Sequence, residues 1–187
     1  MRVWHCLASL ALGLASVAAV PATLSPGELA KPGRLLMLRH ANAPGTGDPP
    51  GFRIDDCATQ RNLDAVGREQ ARALGRRLAK AGVKRARVYS SQWCRCLETA
   101  RLLGLGAVEP MPALNSFYPA PDQRDSRIAR LRAFLAAQPK EGPPLVLVTH
   151  QFTIAEFTGG GTPSGGGAVF QLNGTGTPSL VGGFTPE

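Results

Sequence analysis

A chain of 187 residues, 43% hydrophobic and 18% charged, is long enough to bury one sizeable core and too apolar to stay disordered. Its net charge of +8 rests on 17 arginines against four lysines, which suits an anionic partner. Basic residues never run four together and only 6% of residues are aromatic, so material for stacking bases is scarce. A small anionic substrate is therefore expected, and no nucleic acid.

The chain opens with Arg2, an apolar run from Val3 to Val20, and then Pro21-Ala22. A short basic start, a hydrophobic stretch and small residues behind it read as a secretory signal over residues 1–22. Ser16 and Ala18 suit cleavage after Ala18, and Val20 and Ala22 suit cleavage after Ala22. The competing reading is an uncleaved anchor, against which His5, Ser9, Gly13 and Ser16 interrupt the run. The expectation is an exported protein, periplasmic or secreted, with no stable membrane insertion once the signal is removed.

After a polar lead-in, Arg34 to Leu38 is a short apolar run bounded by turn formers, the pattern of a buried strand. Residues 41–61 carry glycines, prolines and acids without periodicity, which predicts a long loop. Asp64 is a good N-cap, and Val66, Ala71, Leu74 and Leu78 recur at helical spacing until Gly82. A second strand is expected at Arg87–Ser90, a helix from Trp93 to Leu103, and a third strand near Ala107–Met111. Ile128, Leu131 and Leu135 mark a helix within 123–138, and Pro144 to Thr149 is the clearest strand. A short helix at Phe152–Phe157 precedes strands at Ala168–Leu172 and Leu180–Gly183. Strands alternating with helices predict an α/β fold of three layers, a mostly parallel central sheet with helices on both faces. Residues 23–187 are expected to form a single domain.

In such sheets ligands bind outside the carboxyl ends of the strands. His40 follows the first strand, Arg95 lies in the first turn of the helix after the second, and His150 follows the Pro144–Thr149 strand. One sheet edge thus receives Arg39, His40, Arg95 and His150, a set rich in donors to phosphate oxygens. Three cysteines follow the signal, Cys57, Cys94 and Cys96. One bridge and one free thiol is the natural partition in an exported chain, joining Cys57 to Cys94 or to Cys96, with Cys94 favoured. A C-x-C with one distant cysteine lacks a fourth ligand, so no metal site is expected.

The segments L-M-L-R-H-A at Leu36–Ala41, N-L-D-A-V-G-R-E-Q-A-R-A-L-G at Asn62–Gly75, Y-S-S-Q-W-C-R-C-L-E-T-A at Tyr89–Ala100 and L-V-L-V-T-H at Leu145–His150 resemble, in this order, the histidine phosphatase superfamily, the phosphoglycerate-mutase-like clan. The resemblance covers roughly residues 34–172. It implies a phosphohydrolase in which His40 is the nucleophile and forms a phosphohistidine that water hydrolyses. It also implies a phosphate site of Arg39, Arg95, His150 and Asn42, with two guanidiniums and a protonated His150 in place of metal ions, and no cofactor.

The chain departs from that pattern in three places. Ala43 stands where the acid-phosphatase branch has a third arginine, and Gln151 where it has an aspartate after the second histidine. Asn115 stands near the mutase branch's catalytic glutamate. A phosphatase is therefore expected rather than a mutase; either Asp122, Asp125 or Glu156 protonates the leaving group, or the enzyme has no acid and turns over only substrates with good leaving groups. Phosphorylated cell-envelope sugars are a reasonable substrate by comparison with exported relatives. The alternatives are a phosphatase of phosphohistidine or acyl phosphates, and a phosphate- or polyanion-binding member of the fold without catalysis.

Overall fold

A computed structural model describes residues 23–186. The expected signal, residues 1–22, lies outside the described residues. Six strands form one sheet: β1 (Arg34–Arg39), β2 (Arg87–Ser90), β3 (Val108–Pro110), β4 (Leu145–Thr149), β5 (Gly167–Gln171) and β6 (Ser179–Phe184). Their order across the sheet is β3-β2-β4-β1-β5-β6. The four strands β3, β2, β4 and β1 are parallel neighbours, while β5 and β6 run antiparallel at the far side. The helices are α1 (Ala65–Lys80), α2 (Cys94–Leu102), α3 (Arg124–Ala136) and α4 (Gln151–Thr158). None of the described helices is long and apolar enough to cross a membrane.

The central strands are apolar on both faces because helices cover both. From β1, Leu36 and Leu38 join Leu74 and Leu78 of α1 and Cys96 and Ala100 of α2 on one side. Leu35 and Met37 join Leu131 and Leu135 of α3 and Ile154 of α4 on the other. Asp64 caps α1 by accepting from the Gly67 backbone N–H at 2.7 Å. Gly67 packs so closely on the chain after β1 that a Cβ there would collide with the Asn42 carbonyl. The first turn of α1 thus braces the segment that carries His40.

Cys57 is bonded to Cys94, and Cys96 is a buried free thiol. The bridge closes a sequence separation of 37 residues, worth about 4 kcal/mol by chain entropy. Cys94 is the first residue of α2 and precedes Arg95, so the bridge ties the long loop after β1 to the helix that carries this arginine.

Candidate active site

Parallel order brings the carboxyl ends of β1, β2 and β4 side by side, and the expected residues meet there. A cavity of about 370 Å³ is lined by Arg39, His40, Arg95 and His150 together with Asp48 and Arg61. His40, Arg95 and His150 are each nearly inaccessible to solvent, and the two imidazole centroids stand 5.6 Å apart.

The segment after β1 is held from several sides. The His40 backbone N–H donates to Thr149 O at 3.1 Å, and that of Ala41 to Thr99 Oγ1 at 3.0 Å. Gln70 Oε1 accepts from the Asn42 N–H at 3.0 Å, while its Nε2 donates to Ser164 O at 3.0 Å. The motif residues Gly67, Gln70 and Thr99 are thus the scaffold of the His40 segment.

His40 Nδ1 lies 2.8 Å from Ala41 O. A carbonyl only accepts, so the proton sits on Nδ1 and Nε2 keeps its lone pair. That nitrogen faces Arg95 Nε, which donates to it at 3.3 Å. Burial first, then the charges of Arg95, Arg39 and Arg61, depress the His40 pKa from 6.5 to about 3, against a smaller opposing effect of the Ala41 hydrogen bond.

His150 holds the opposite tautomer. The Gln92 backbone N–H donates to Asn115 Oδ1 at 2.8 Å, and Asn115 Nδ2 donates to Gln92 Oε1 at 2.8 Å, which orients the amide. Ser91 Oγ donates to Asn115 Oδ1, 3.2 Å away. It accepts from His150 Nε2 at 2.9 Å, so the proton of His150 is on Nε2. Nδ1 has no partner among the described residues and is the nitrogen available to a ligand. The expectation of a cationic His150 is corrected here: burial, then His40, Arg95, Arg61 and Arg39, lower its pKa well below the usual value. The ring is neutral because three guanidiniums crowd a site with little water. Apart from His5 these are the only histidines in the chain. Nitrogen NMR should show Nδ1–H for His40 and Nε2–H for His150, neither ring titrating between about pH 5 and 8. A His150 ring that protonates near its ordinary pKa contradicts this geometry.

Two pocket residues escape the sequence reading. Asp48 accepts from Arg95 Nη1 at 2.8 Å and Nη2 at 3.2 Å, and also from Trp93 Nε1 at 2.9 Å and the Arg61 backbone N–H at 3.0 Å. Burial alone would raise its pKa, but the hydrogen bonds and charge of Arg95 outweigh it and the carboxyl stays ionised. Arg61 spans the loop, donating from Nε to Gly47 O at 2.7 Å and from Nη1 to Ala43 O. It brings a third guanidinium to the cavity, although Ala43 stands where the acid-phosphatase branch has its third arginine. Neither residue sits in a periodic segment, and the long loop itself was the sole signal.

Four expected residues lie elsewhere. Asn42 Nδ2 donates to Asp64 Oδ2 at 2.9 Å, so its side chain is committed to the cap of α1 and is not among those lining the cavity. Asp122 is exposed, Asp125 pairs with Arg124, and Glu156 accepts from Arg124 Nε and Nη2 at 2.8 and 2.6 Å. None of these three carboxyls lines the cavity: Asp122 precedes α3, and Asp125 and Glu156 are both paired with Arg124. The pocket carboxyl is Asp48. The Cys96 thiol, 3.5 Å from His150 Nε2, is pushed up to about 12 chiefly by burial and stays protonated.

Residues 35–117 match the sequence model of the Histidine phosphatase superfamily (branch 1). No curated protein matches the chain. Among solved structures it is similar to the protein histidine phosphatase SixA complexed with tungstate, with 22% identity and a TM-score of 0.60 over 82% of this chain and 97% of that one. It is similar also to mycobacterial glucosyl-3-phosphoglycerate phosphatase, 22% identical with a TM-score of 0.53 over 73% and 89% of the two chains. A third is mycobacterial hydrolase 1, 20% identical with a TM-score of 0.58 over 79% and 94%. These neighbours share the α/β fold. The matched segment contains His40 and Arg95.

Proposed function

We propose that the protein is an exported phosphohydrolase that works through a phosphohistidine on His40 without a metal ion. The observation that carries this reading is the unprotonated Nε2 of a buried His40, facing a cavity lined by three guanidiniums. In the first step the Nε2 lone pair forms a bond to phosphorus while the bond to the bridging oxygen breaks. The electron pair of that bond leaves with the departing oxygen. In the second step water attacks phosphorus, the N–P bond breaks and its electron pair returns to Nε2, and the proton of the water is released.

Arg39, Arg61 and Arg95 neutralise the phosphoryl oxygens as charge moves across them, the work that metal ions do in other phosphoryl-transfer enzymes. A phosphate dianion beside His150 offsets the guanidinium charges, which favours a proton on Nδ1 shared with a phosphate oxygen. Residues 1–22 are the cleaved signal in this reading, residues 23–187 the catalytic domain, and the Cys57–Cys94 bridge supports an oxidising compartment.

The engaged state of Asp48 favours weakly basic leaving groups. An alcohol needs a proton to depart near neutral pH, and the one carboxylate of the cavity is already held by Arg95, Trp93 and Arg61. Phosphohistidine, acyl phosphates and aryl phosphates suit this site better than cell-envelope sugar phosphates do. The test is acid quenching of the enzyme during turnover of a labelled aryl phosphate. The expected product is protein-bound phosphate that is labile in acid and stable in base, formed equally in the presence of a chelator. Label on serine or aspartate, or none at all, defeats the mechanism.

A further inference from the structure

Two aromatic rings at the mouth of the cavity have no part in the chemistry above. Tyr118 lies in the segment that follows the short Pro112–Leu114 turn, and Phe152 in the first turn of α4. Their rings are parallel to within 2°, with centroids 5.6 Å apart. They are 55% and 41% exposed, and they alone among the five exposed large hydrophobic side chains of the described residues line the cavity. Phe117 supports Phe152 from beneath at 6.5 Å. A Cβ on Gly47 would stand 3.9 Å from Tyr118 Cε1, so the loop that carries Asp48 reaches the Tyr118 ring, and Phe52, which also lines the cavity, packs on Trp93 at 5.6 Å. The cavity therefore has a cationic floor and an aromatic mouth.

This division matches the two halves of a phosphate ester. The guanidiniums take the phosphoryl group, and the group to be expelled extends toward the opening. Exposed parallel rings offer it a flat apolar face, which an aromatic ring fits by offset stacking. The floor makes the same selection on chemical grounds. With Asp48 held by Arg95, the departing atom keeps its negative charge, and a ring that delocalises the charge leaves most readily.

We propose that Tyr118 and Phe152 form a leaving-group subsite for a planar aromatic ring, and that the substrate is a small aryl phosphate ester. The proposal rests on the phosphatase reading for its catalytic half. In the reaction the N–P bond to His40 forms, the bond from phosphorus to the aryl oxygen breaks, and the aryl oxygen departs with the electron pair as a phenolate.

The experiment has a binding arm and a kinetic arm. Phenylphosphonate should bind the wild-type protein about tenfold more tightly than methylphosphonate by calorimetry, and the preference should fall in Tyr118→Ala and in Phe152→Leu. The ratio of kcat/KM for 4-nitrophenyl phosphate over acetyl phosphate, which has a good leaving group and no ring, should fall by about the same factor in both variants. Equal affinity for the two phosphonates overturns the subsite whatever the kinetics show. Hydrolysis of neither ester with the phenyl preference intact defeats the phosphatase reading instead and supports the subsite.

Discussion

His40→Ala should lower turnover of an aryl phosphate by about 10⁴-fold or more, since loss of a covalent nucleophile removes the reaction path itself. The variant also has a signature that does not depend on catalysis. Folding depresses the pKa of His40 from 6.5 to about 3, so the folded chain binds fewer protons than the unfolded chain between these values. The wild type keeps its full stability above pH 6.5 and loses the contribution of His40 as the pH falls toward 3. The slope is at most about 1.4 kcal/mol per pH unit for this one group. His40→Ala lacks this term and should resist acid better than wild type in urea denaturation over that window. An active His40→Ala protein would refute the nucleophile. An unchanged acid profile would refute its buried neutral state.

Arg95→Met should lower kcat/KM by about 10²–10³, the usual loss when one preorganised donor to a developing oxyanion is removed. Arg95 also neutralises Asp48, and the two side chains are only 4% and 6% exposed. Removing the guanidinium leaves a carboxylate buried with hydrogen bonds from Trp93 and Arg61 but without a bound cation beside it. Breaking such a pair costs about 3–5 kcal/mol. Arg95→Met should therefore be unstable as well as slow. The double variant Arg95→Met with Asp48→Asn should recover most of the stability, because no charge is left unpaired, and none of the activity. Denaturation midpoints and kcat/KM for the four proteins of this cycle separate the two roles. Recovery of activity in the double variant would show that Arg95 serves only to hold Asp48.

The sequence by itself determined the layered fold and four members of the pocket. Apolar runs such as Arg34–Leu38 and Pro144–Thr149 specify strands through local patterning, and Asp64 specifies the start of α1 through its own side chain. Once the strands are parallel their carboxyl ends share one edge, so Arg39, His40, Arg95 and His150 converge for a reason legible in chain order. The near coincidence of expected and observed elements, with β2 at Arg87–Ser90 in both, has the same local origin.

What tertiary structure alone decided lies in the aperiodic segments and in the charges. Asp48 reaches Arg95 across 47 residues of sequence, and Arg61 reaches Ala43 and Gly47 by folding the loop back on itself. No spacing rule relates such residues, because a loop without a repeating hydrogen-bond pattern takes its path from its anchors. Here those anchors are the Cys57–Cys94 bridge, the contacts of Gln60 and the Asp48 pair. Asn42 follows His40 closely yet turns to Asp64, since the arrival of α1 offers its amide a carboxylate. The neutral state of His150 is likewise a property of the assembled pocket. An imidazole is cationic or neutral according to the burial and charge around it; here burial acts first, then His40 and the guanidiniums of Arg95, Arg61 and Arg39, which come from separate parts of the chain.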